Sequence, residues 1–452
     1  MNSLPDNLAA TLKDAYRVCD LTPLMGKDLR YFNLSKVRDN LALASVKQAI
    51  EDEDIELKPG KKYGKILFTG HRGCGKSTEL RQIQDYGVSQ GYQVIYIDAA
   101  DEIDINDVQY TDLYLVIVKR VEEELRKLKL KFDPKLLKDF EDWFKQTTKE
   151  TETKFNKWWE STAGIDFAPE IPLVGKIVLK LLGGIRGNEE DKTIIRQTLD
   201  RNAPDLMKLI NNLLNDASIK LRQKYTQFYG FLIIFDSLDR VNTSTGKHLF
   251  KDYGKQLEIN CFIIYTVPIS IIHSINLESD SSSSCIMPMV DIYKYEANKC
   301  YLEHDEDGLN AMAKLIKKRV KTEAVFESEE LLLELAKASG GHVRQLMQLM
   351  RIACTIARAS SREQITVEDV TESIQREQQI WENQIPAEIS YQSLAEVCLK
   401  KKLPKNPDIP EMLYRNYILE YGGSKIKRWY YVNPLLMQAD DFKKALQTAQ
   451  EQ

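Results

Sequence analysis

The stretch FTGHRGCGKSTEL, residues 68–80, carries the strongest structural signal in this chain of 452 residues. An apolar run, KILF, precedes it, and the residues from Lys76 onward have the spacing of an amphipathic helix. The pattern G-x-x-x-x-G-K-[ST], with one further glycine inside it, is met by Gly70, Gly73, Gly75, Lys76 and Ser77. The sequence predicts a strand, a phosphate-binding loop and a helix in succession, and this context disfavours a glycine-rich turn without a ligand.

Each residue type in the loop has a physical role in holding a phosphate. Glycine tolerates positive φ and has no Cβ, so successive N–H groups can turn toward an anion at the helix N-terminus. We expect Lys76 to bridge the β- and γ-phosphates of ATP and Ser77 to give an oxygen to Mg²⁺. His71 is interpreted as a tuning or packing residue rather than a base. The predicted cofactor-binding residues are Gly70, His71, Arg72, Gly73, Cys74, Gly75, Lys76, Ser77 and Thr78.

Two aspartates follow a second apolar run, in the segment FLIIFDSLDR at 231–240. Asp236 ends the predicted strand, where its carboxylate can reach the Mg²⁺ shell, so Ser77 and Asp236 are the predicted metal ligands. Asp239 lies three residues further on and is predicted to polarise the attacking water. The alternative is that Asp239 is a helix cap, a common role for an aspartate after a strand.

Two further polar residues are candidate sensors of the nucleotide. Thr266 ends the run FIIYTV, where its hydroxyl can contact the γ-phosphate; an ordinary strand-end threonine is the alternative. Arg344 begins a helix after GGHV, and it can report loss of the γ-phosphate by moving that helix. A surface arginine is its alternative. The predicted catalytic residues are Lys76, Asp236, Asp239, Thr266 and Arg344.

Composition narrows the class of protein. The formal net charge of −4 excludes a protein coated in positive charge, so any nucleic-acid site must be regional. The seven cysteines are scattered and odd in number, which suggests neither a disulfide framework nor a zinc cluster and favours a reducing cytoplasm. The N-terminus lacks the apolar run of a secretory signal. The most apolar segment, 171–185, is too short to span a bilayer, so we expect a buried or interfacial element and no membrane partner.

The apolar runs predict an α/β fold with a parallel sheet flanked by helices. Strands are predicted at 65–68, 94–98, 231–236 and 262–267, with MVDIYKY at 289–295 as a fifth candidate after a flexible serine loop at 281–284. The Lys- and Glu-rich helices at 112–130 and 134–159 are predicted to be solvated. The predicted organisation is an N-terminal helical segment at 1–60, a phosphate-loop core at 61–300 with a helical insertion at about 112–215, an all-α lid domain at 301–378 and a small module at 379–452.

Five segments together resemble the AAA+ and STAND-type P-loop ATPases, close to the origin-recognition-like branch and to uncharacterised bacterial ATPases. These segments are GHRGCGKSTEL, FDSLDR, YTVP, GGHVRQL and ITVEDV, within a resemblance that spans about Tyr31 to Gln378. The resemblance implies Walker A roles for Lys76 and Ser77, Walker B roles for Asp236 and Asp239, the sensor 1 position for Thr266 and the sensor 2 position for Arg344. It also relates RYFNLSKVR, at 30–38, to the region that often touches adenine in this family.

The chain departs from the family pattern at two places. Ser237 follows Asp236 and the second acid comes only at Asp239, as in STAND and KAP-like ATPases, which implies slow hydrolysis. The segment 241–261 contains lysines but no arginine finger, and Arg240 is the nearest candidate. These departures favour a switch that changes shape or assembly with bound nucleotide over a motor ring.

The C-terminal residues 389–436 resemble a winged-helix domain, with two strands, LYRNYILEYGG and RWYYVNP, flanking a wing turn. Between Leu399 and Trp429 lie eight basic and three acidic residues, with aromatics interleaved around Arg428. This composition suits DNA phosphates as well as protein docking, and the sequence leaves both open.

Three functions compete at this point. The first is an ATP-hydrolysing switch that self-associates with ATP and signals to an effector protein, which by analogy of fold suits bacterial defence or stress systems. The second is an ATP-gated DNA-binding initiator or loader, and the third is a nucleotide-bound scaffold that does not hydrolyse. The two aspartates favour the first two. The expected cofactors are ATP and Mg²⁺, and the expected location is the cytoplasm.

Overall fold

The computed structural model describes residues 8–39, 41–54, 56, 61–150, 155, 158–159, 173–272, 282–386, 389–422 and 427–451. The chain divides into two compact units. The loop unit comprises Met1–Ser45, Thr69–Gln82 and Cys285–Gln452, and the sheet unit comprises Val46–Phe68 and Ile83–Ser284. Within the described residues, no helix combines the length and the apolar character needed to cross a bilayer.

A five-stranded sheet confirms the predicted fold class. Its strands are β1 Lys65–Gly70, β2 Tyr92–Asp98, β3 Gly230–Asp236, β4 Phe262–Val267 and β5 Ser282–Met287. The strand order is β2-β3-β4-β1-β5, and β3 pairs in parallel with both β2 and β4. Every residue of β1, β3 and β4 is buried, as expected for apolar runs in a parallel sheet that is covered on both faces.

The position of the fifth strand was predicted wrongly. The strand is formed by Ser282–Met287, within which the predicted serine loop falls, and Ser281 lies outside the described residues. β5 is at an edge of the sheet, where polar side chains are tolerated, and Cys285 and Met287 alternate into the core. The segment 289–295 contributes only an isolated bridge, from Tyr293 to His304.

The described helices between β1 and β3 in the chain differ in how far they are buried. They are α3 Lys76–Ser89, α4 Ala99–Glu102, α5 Tyr110–Lys127, α6 Pro134–Glu150, α7 Leu173–Ile185, α8 Glu189–Arg201 and α9 Ala203–Lys224. Two described helices precede β1, namely α1 Leu12–Val18 and α2 Leu41–Glu51. The prediction of solvated helices is wrong for α5, which packs against α7, α9 and β2 and whose residues 110–118 are all buried. Its lysines and glutamates cluster toward its C-terminal end, where Lys119 pairs with Glu102 at 2.8 Å. The burial predicted for 171–185 is confirmed over α7, where Val178 and Leu181 are fully buried.

Short helical turns connect the remaining strands, and a helical region follows β5. The turns are Leu238–Arg240, α10 Thr243–Lys247, His248–Asp252, Gly254–Leu257 and α11 Ile269–Ile272. The helical region consists of α12 Glu306–Lys317, α13 Thr322–Val325, α14 Glu330–Ala338, α15 Val343–Ala359 and α16 Val367–Asn383. The helical character predicted from the spacing is confirmed, and the assignment of 301–378 as a lid domain stays a prediction.

The C-terminal module contains three helices and a two-stranded ribbon. They are α17 Tyr391–Lys400, α18 Ile409–Tyr414, β6 Ile418–Tyr421, β7 Trp429–Val432 and α19 Asp440–Glu451. β6 and β7 pair antiparallel, with Ile418 opposite Val432 and Tyr421 opposite Trp429. The residues of the predicted wing turn at 423–426 lie outside the described residues, so the winged-helix assignment stays a prediction.

A disulfide joins Cys300 to Cys398, contrary to the expectation that the cysteines form none. The two residues are 98 positions apart, with Cα atoms 5.0 Å from each other, so no local spacing in the sequence indicates the pair. The bond ties α17 of the module to the segment that precedes the helical region. The remaining cysteines are buried thiols: Cys19, Cys74, Cys261, Cys285 and Cys354.

We predict that the disulfide stabilises the loop unit, because it links two residues that are 98 positions apart and so restricts the unfolded chain. Reduction by a dithiol, or Cys398→Ser, is expected to lower the free energy of unfolding by roughly 3–5 kcal/mol, the scale for loops of this length. Denaturant melts with and without reductant measure the difference. Cys398→Ser is the control because its stability should no longer respond to reductant, and an equal response in both proteins would contradict the bond.

Candidate functional site

The glycines of the phosphate loop are required by its backbone path. Gly73 has φ +87°, and a Cβ there would lie 2.5 Å from Cε1 of His342 and 2.8 Å from Cβ of Arg344. A Cβ on Gly70 would meet the carbonyl oxygen of Met287 at 2.4 Å. Gly75 has φ +104°, but the space beside it is open. Conformation and close packing therefore select glycine at the first two positions, and conformation selects it at Gly75.

Lys76 lies inside the loop and is 4% exposed. Its Nζ donates to the carbonyl oxygens of Gly70 and His71, each at 2.8 Å. The carbonyl of His71 also accepts from the N–H of Cys74 at 3.2 Å. The ammonium group is therefore held at the start of α3, where the loop amides and the helix N-terminus also favour an anion.

The next three carbonyls of the loop accept hydrogen bonds from distant segments of the loop unit, and the fourth accepts one from α3. The carbonyl of Arg72 accepts from Nε2 of His342 at 2.6 Å and from Nδ2 of Asn416 at 3.0 Å. The carbonyl of Gly73 accepts from the N–H of Arg344, and that of Cys74 from Nη1 of Arg38, each at 3.0 Å. The carbonyl of Gly75 accepts from the N–H of Glu79 at 3.1 Å. Every carbonyl from Gly70 to Gly75 thus has a donor.

This row of bonded carbonyls determines where the loop amides point. The described peptide bonds are all trans, so each N–H points opposite to the carbonyl of the residue before it. The donors on Arg72 O and Cys74 O therefore turn the N–H groups of Gly73 and Gly75 toward the other side of the backbone. Such a loop, with its positive-φ glycines, fits a phosphate group, and its amides and Lys76 are the groups that would hold one.

Two buried histidines, His71 within the loop and His342 next to it, have hydrogen bonds that fit neutral rings. Nε2 of His71 accepts from the N–H of Glu420 at 2.9 Å, which leaves Nδ1–H to donate to Oδ1 of Asn416 at 3.2 Å. Nδ1 of His342 accepts from the N–H of Gln345 at 3.0 Å, so its Nε2–H donates to Arg72. Burial lowers the pKa of His71 to about 4 and the pKa of His342 to about 3. These contacts agree with the packing role expected of His71.

The N-terminal segment that was related to adenine contacts the loop and its helix. Nη2 of Arg38 forms a buried ion pair with Oε1 of Glu79 at 2.8 Å, and the hydroxyl of Tyr31 donates to the other oxygen of Glu79 at 3.1 Å. The hydroxyl of Thr78 accepts from the N–H of Leu24 at 3.1 Å. Thr78 and Glu79, which follow the loop in α3, therefore bind this N-terminal segment by hydrogen bonds and an ion pair.

The candidate acids lie together at the carboxyl end of β3, in the sheet unit. Asp236 is 2% exposed, and its Oδ2 accepts from the hydroxyl of Tyr96 at 2.5 Å. Thr266 Oγ1 accepts from the N–H groups of Leu238 and Asp239, at 3.0 and 3.4 Å. The hydroxyl predicted to sense the nucleotide thus fixes the turn that carries Asp239.

Sequence reasoning located the loop, its lysine and the acids, but it missed the residues that support them. His342 was visible only as part of GGHV, and Asn416 and Tyr96 gave no signal because their partners are distant in the sequence. The backbone N–H of Arg344, at the start of α15, donates to the carbonyl of Gly73 at 3.0 Å, and the sensor role of its side chain stays a prediction. Ser77 is the second residue of α3 and is partly exposed.

Comparisons with known proteins give remote similarities. A family model described as "Mitochondrial ribosomal death-associated protein 3" matches residues 49–114, which include β1, the loop, α3 and β2. No curated protein matches the chain. Among solved structures, Cdc6p from Pyrobaculum aerophilum is similar at 11% identity and a TM-score of 0.35, over 96% of this chain and 98% of that chain. The ORC2 protein of Aeropyrum pernix is similar at 11% identity and a TM-score of 0.37, over 96% of this chain and 98% of that chain.

A third similar structure is the Thermotoga maritima RuvB Holliday junction branch migration motor, at 11% identity and a TM-score of 0.35, over 93% of this chain and 98% of that chain. The family match covers less than half of this chain, and the structural similarities are remote.

We predict that Gly73→Ala weakens ATP binding at least tenfold, because the new Cβ would both strain a left-handed residue and displace the ring of His342. Gly75→Ala is the matched variant, since it adds the same methyl group at positive φ without a neighbour. Calorimetric titration with ATP should give the weaker affinity for Gly73→Ala. Equal affinities for the two variants would show that the contact with His342 does not matter.

Proposed function

We propose that this chain is an AAA+/STAND-like ATPase that binds ATP with Mg²⁺, hydrolyses it slowly and acts as a nucleotide-dependent switch for a partner protein. The observation that carries the proposal is the complete set of donors on the carbonyls of Gly70 to Gly75. A backbone held in this way before any ligand binds loses little further entropy when its amides bind a phosphate. Preorganisation of this kind is what a nucleotide site requires.

The residues divide the chemistry between binding and hydrolysis. The amides of the loop and Lys76 would hold the phosphates, and Ser77 would offer an oxygen to Mg²⁺, which supplies charge neutralisation when it is bound. The sequence pattern predicts that Asp236 would act on the metal and that Asp239 would act on the attacking water. The buried position of both carboxylates, and the fixed turn between them, support these roles.

The proposed switch acts through α15. The N–H of Arg344 bonds directly to the loop carbonyl of Gly73, and His342 is the N-cap of the same helix. A change in the loop with bound nucleotide would therefore be transmitted to the first turn of α15 and to the helices packed on it. Such a helix shift is a recognised way to alter an interaction surface, including one for self-association.

The charges of the C-terminal module support a protein partner more than DNA. Ion pairs within the module, at 2.6–2.7 Å, occupy three of its basic residues: Lys400–Glu396, Arg415–Glu411 and Arg428–Glu420. Lys401 is buried, and desolvation lowers its pKa to about 7. Lys425 lies outside the described residues. Paired or buried cations contribute less to phosphate binding by counterion release, so the surplus charge counted in the sequence overstates the surface available to DNA.

We expect Lys76→Ala to abolish ATP binding and Asp239→Asn to keep it. Phosphate release by Asp239→Asn should be slower by about a hundredfold, the usual scale for loss of a general base. Asp236→Asn should also weaken the dependence on Mg²⁺. Calorimetry and phosphate-release assays measure these effects, and ATP affinity that is unchanged in Lys76→Ala would refute the proposed site.

A slowly hydrolysed ATP analogue, but not ADP, is expected to compact the protein or promote its assembly, as seen by scattering and sedimentation. Arg344→Ala should bind nucleotide without this response, because it keeps the backbone bond to Gly73 but removes the guanidinium group that is predicted to contact the γ-phosphate. Arg358→Ala, at the exposed far end of the same helix, is the matched control. Identical shape and mass with analogue and ADP would exclude the switch.

The same samples distinguish the DNA-acting alternative. Titration with duplex DNA should show no ATP-dependent binding at low salt if the partner is a protein. Binding that requires ATP, falls steeply with salt and disappears when Lys425, Lys427 and Arg428 are neutralised would favour the initiator or loader function instead.

A further inference from the structure

The C-terminal module contacts the phosphate loop through Asn416, which lies between α18 and β6. Its Nδ2 donates to the carbonyl of Arg72 at 3.0 Å, and its Oδ1 accepts from Nδ1–H of His71 at 3.2 Å. The same amide nitrogen lies 3.3 Å from Nε2 of His342. One side chain of the module thus makes a donor contact and an acceptor contact with two adjacent residues of the loop.

Two other parts of the module contact the same pair of loop residues. The N–H of Glu420, in β6, donates to Nε2 of His71 at 2.9 Å. The guanidinium carbon of Arg72 lies 5.4 Å from the ring centroid of Tyr414, at the end of α18, a cation–π distance. The side chain of His71 is fully buried in this contact. The module therefore packs on positions 71 and 72 through both backbone and side-chain groups.

The contact of Asn416 with Arg72 has a direct consequence for phosphate binding. The peptide bond after Arg72 is trans and planar, so a donor that fixes its carbonyl also fixes the opposite direction of the N–H of Gly73. His342 is the second donor on the same oxygen. The direction of this loop amide is therefore set jointly by the helical region and by the C-terminal module.

We propose that Asn416 is a positioning residue of the phosphate loop, and that docking of the C-terminal module and nucleotide binding are one linked equilibrium. The inference rests on the proposed function of the loop as an ATP site. Linkage is reciprocal: if the docked module improves the affinity for ATP, bound ATP stabilises the docked module by the same factor. The module then acts as the element through which nucleotide state reaches a partner.

Two substitutions of Asn416 separate its contacts. Asn416 has φ +60°, which glycine adopts readily, so Asn416→Gly removes the amide while it preserves the backbone. Asn416→Asp keeps an oxygen that can accept from His71 but removes the donor to Arg72. Arg415→Ala is the control, because Arg415 is the adjacent, exposed residue and forms a surface ion pair with Glu411.

The first measurement is ATP affinity by calorimetry with the full chain. Asn416→Gly and Asn416→Asp are expected to bind ATP about tenfold more weakly, the loss that one hydrogen bond of ordinary strength produces. Arg415→Ala should remain within about twofold of the original protein on the same scale. Each titration is made below the melting transition of its variant, so that loss of fold is not read as loss of affinity.

The second measurement is amide hydrogen exchange in the C-terminal module, with and without nucleotide. If Asn416 had only a structural role, its substitution would not change the effect of nucleotide on this exchange. A slowly hydrolysed ATP analogue should slow exchange of the amides of β6 and β7 in the original protein and in Arg415→Ala. It should leave exchange unchanged in Asn416→Gly. The conservative Asn416→Asp should behave like Asn416→Gly, because the lost donor is the group that fixes the loop amide.

The outcomes distinguish this inference from the proposed function. If the original protein binds no ATP, the proposed function fails, and the inference fails with it. If the original protein binds ATP while Asn416→Gly and Asn416→Asp bind it equally well, or if the analogue leaves exchange in the module unchanged, only the inference is overturned. Weaker ATP binding in both variants, together with loss of the nucleotide effect on exchange, establishes Asn416 as a positioning residue.

Discussion

The structure of the candidate site depends on one constraint: a backbone that turns its N–H groups toward a ligand must find other donors for its carbonyl groups. Leaving a buried carbonyl without a donor costs about 1–3 kcal/mol, so a glycine-rich loop cannot hold this shape unaided. Here the donors include a lysine from the loop itself and side chains far along the chain, among them Asn416, which is 344 positions from Arg72. The loop is thus locally encoded in sequence but held by tertiary structure.

The same constraint explains why separate parts of the loop unit meet at the loop. The N-terminal segment reaches it through Arg38, the helical region through His342 and the N–H of Arg344, and the C-terminal module through Asn416. Each donor is tied to its own element, since His342 is also the N-cap of α15 and Arg38 is paired with Glu79. A change in the loop backbone must therefore alter bonds in all of these elements, which is the physical condition for coupling between a nucleotide and a remote surface.

The sequence predicts local features of this protein well and non-local ones poorly. The strand, loop and helix around Lys76 follow from spacing within about a dozen residues, and the apolar runs of β3 and β4 identify themselves by composition. β5 was missed because an edge strand can be built from serines, and α5 was misjudged because its charges cluster toward one end while its other residues are buried. The disulfide and Asn416 were not predictable, since each depends on a partner that only the fold brings near.

The hydrogen bonds of His71 and His342 depend on both imidazole rings being neutral. Each ring has one nitrogen that accepts from a backbone N–H and one that donates, so a neutral imidazole satisfies both neighbours. Protonation would turn the acceptor of His71 into a donor facing the N–H of Glu420 and would add a second cation beside Lys76. Burial opposes this by lowering the pKa of both rings, which keeps His71 neutral in the folded protein down to about pH 4 and His342 down to about pH 3. The free energy of unfolding is therefore greatest above about pH 6.5, where the unfolded histidines are neutral too, and it falls as the pH drops toward about 4, because the unfolded chain then binds protons that the folded rings do not.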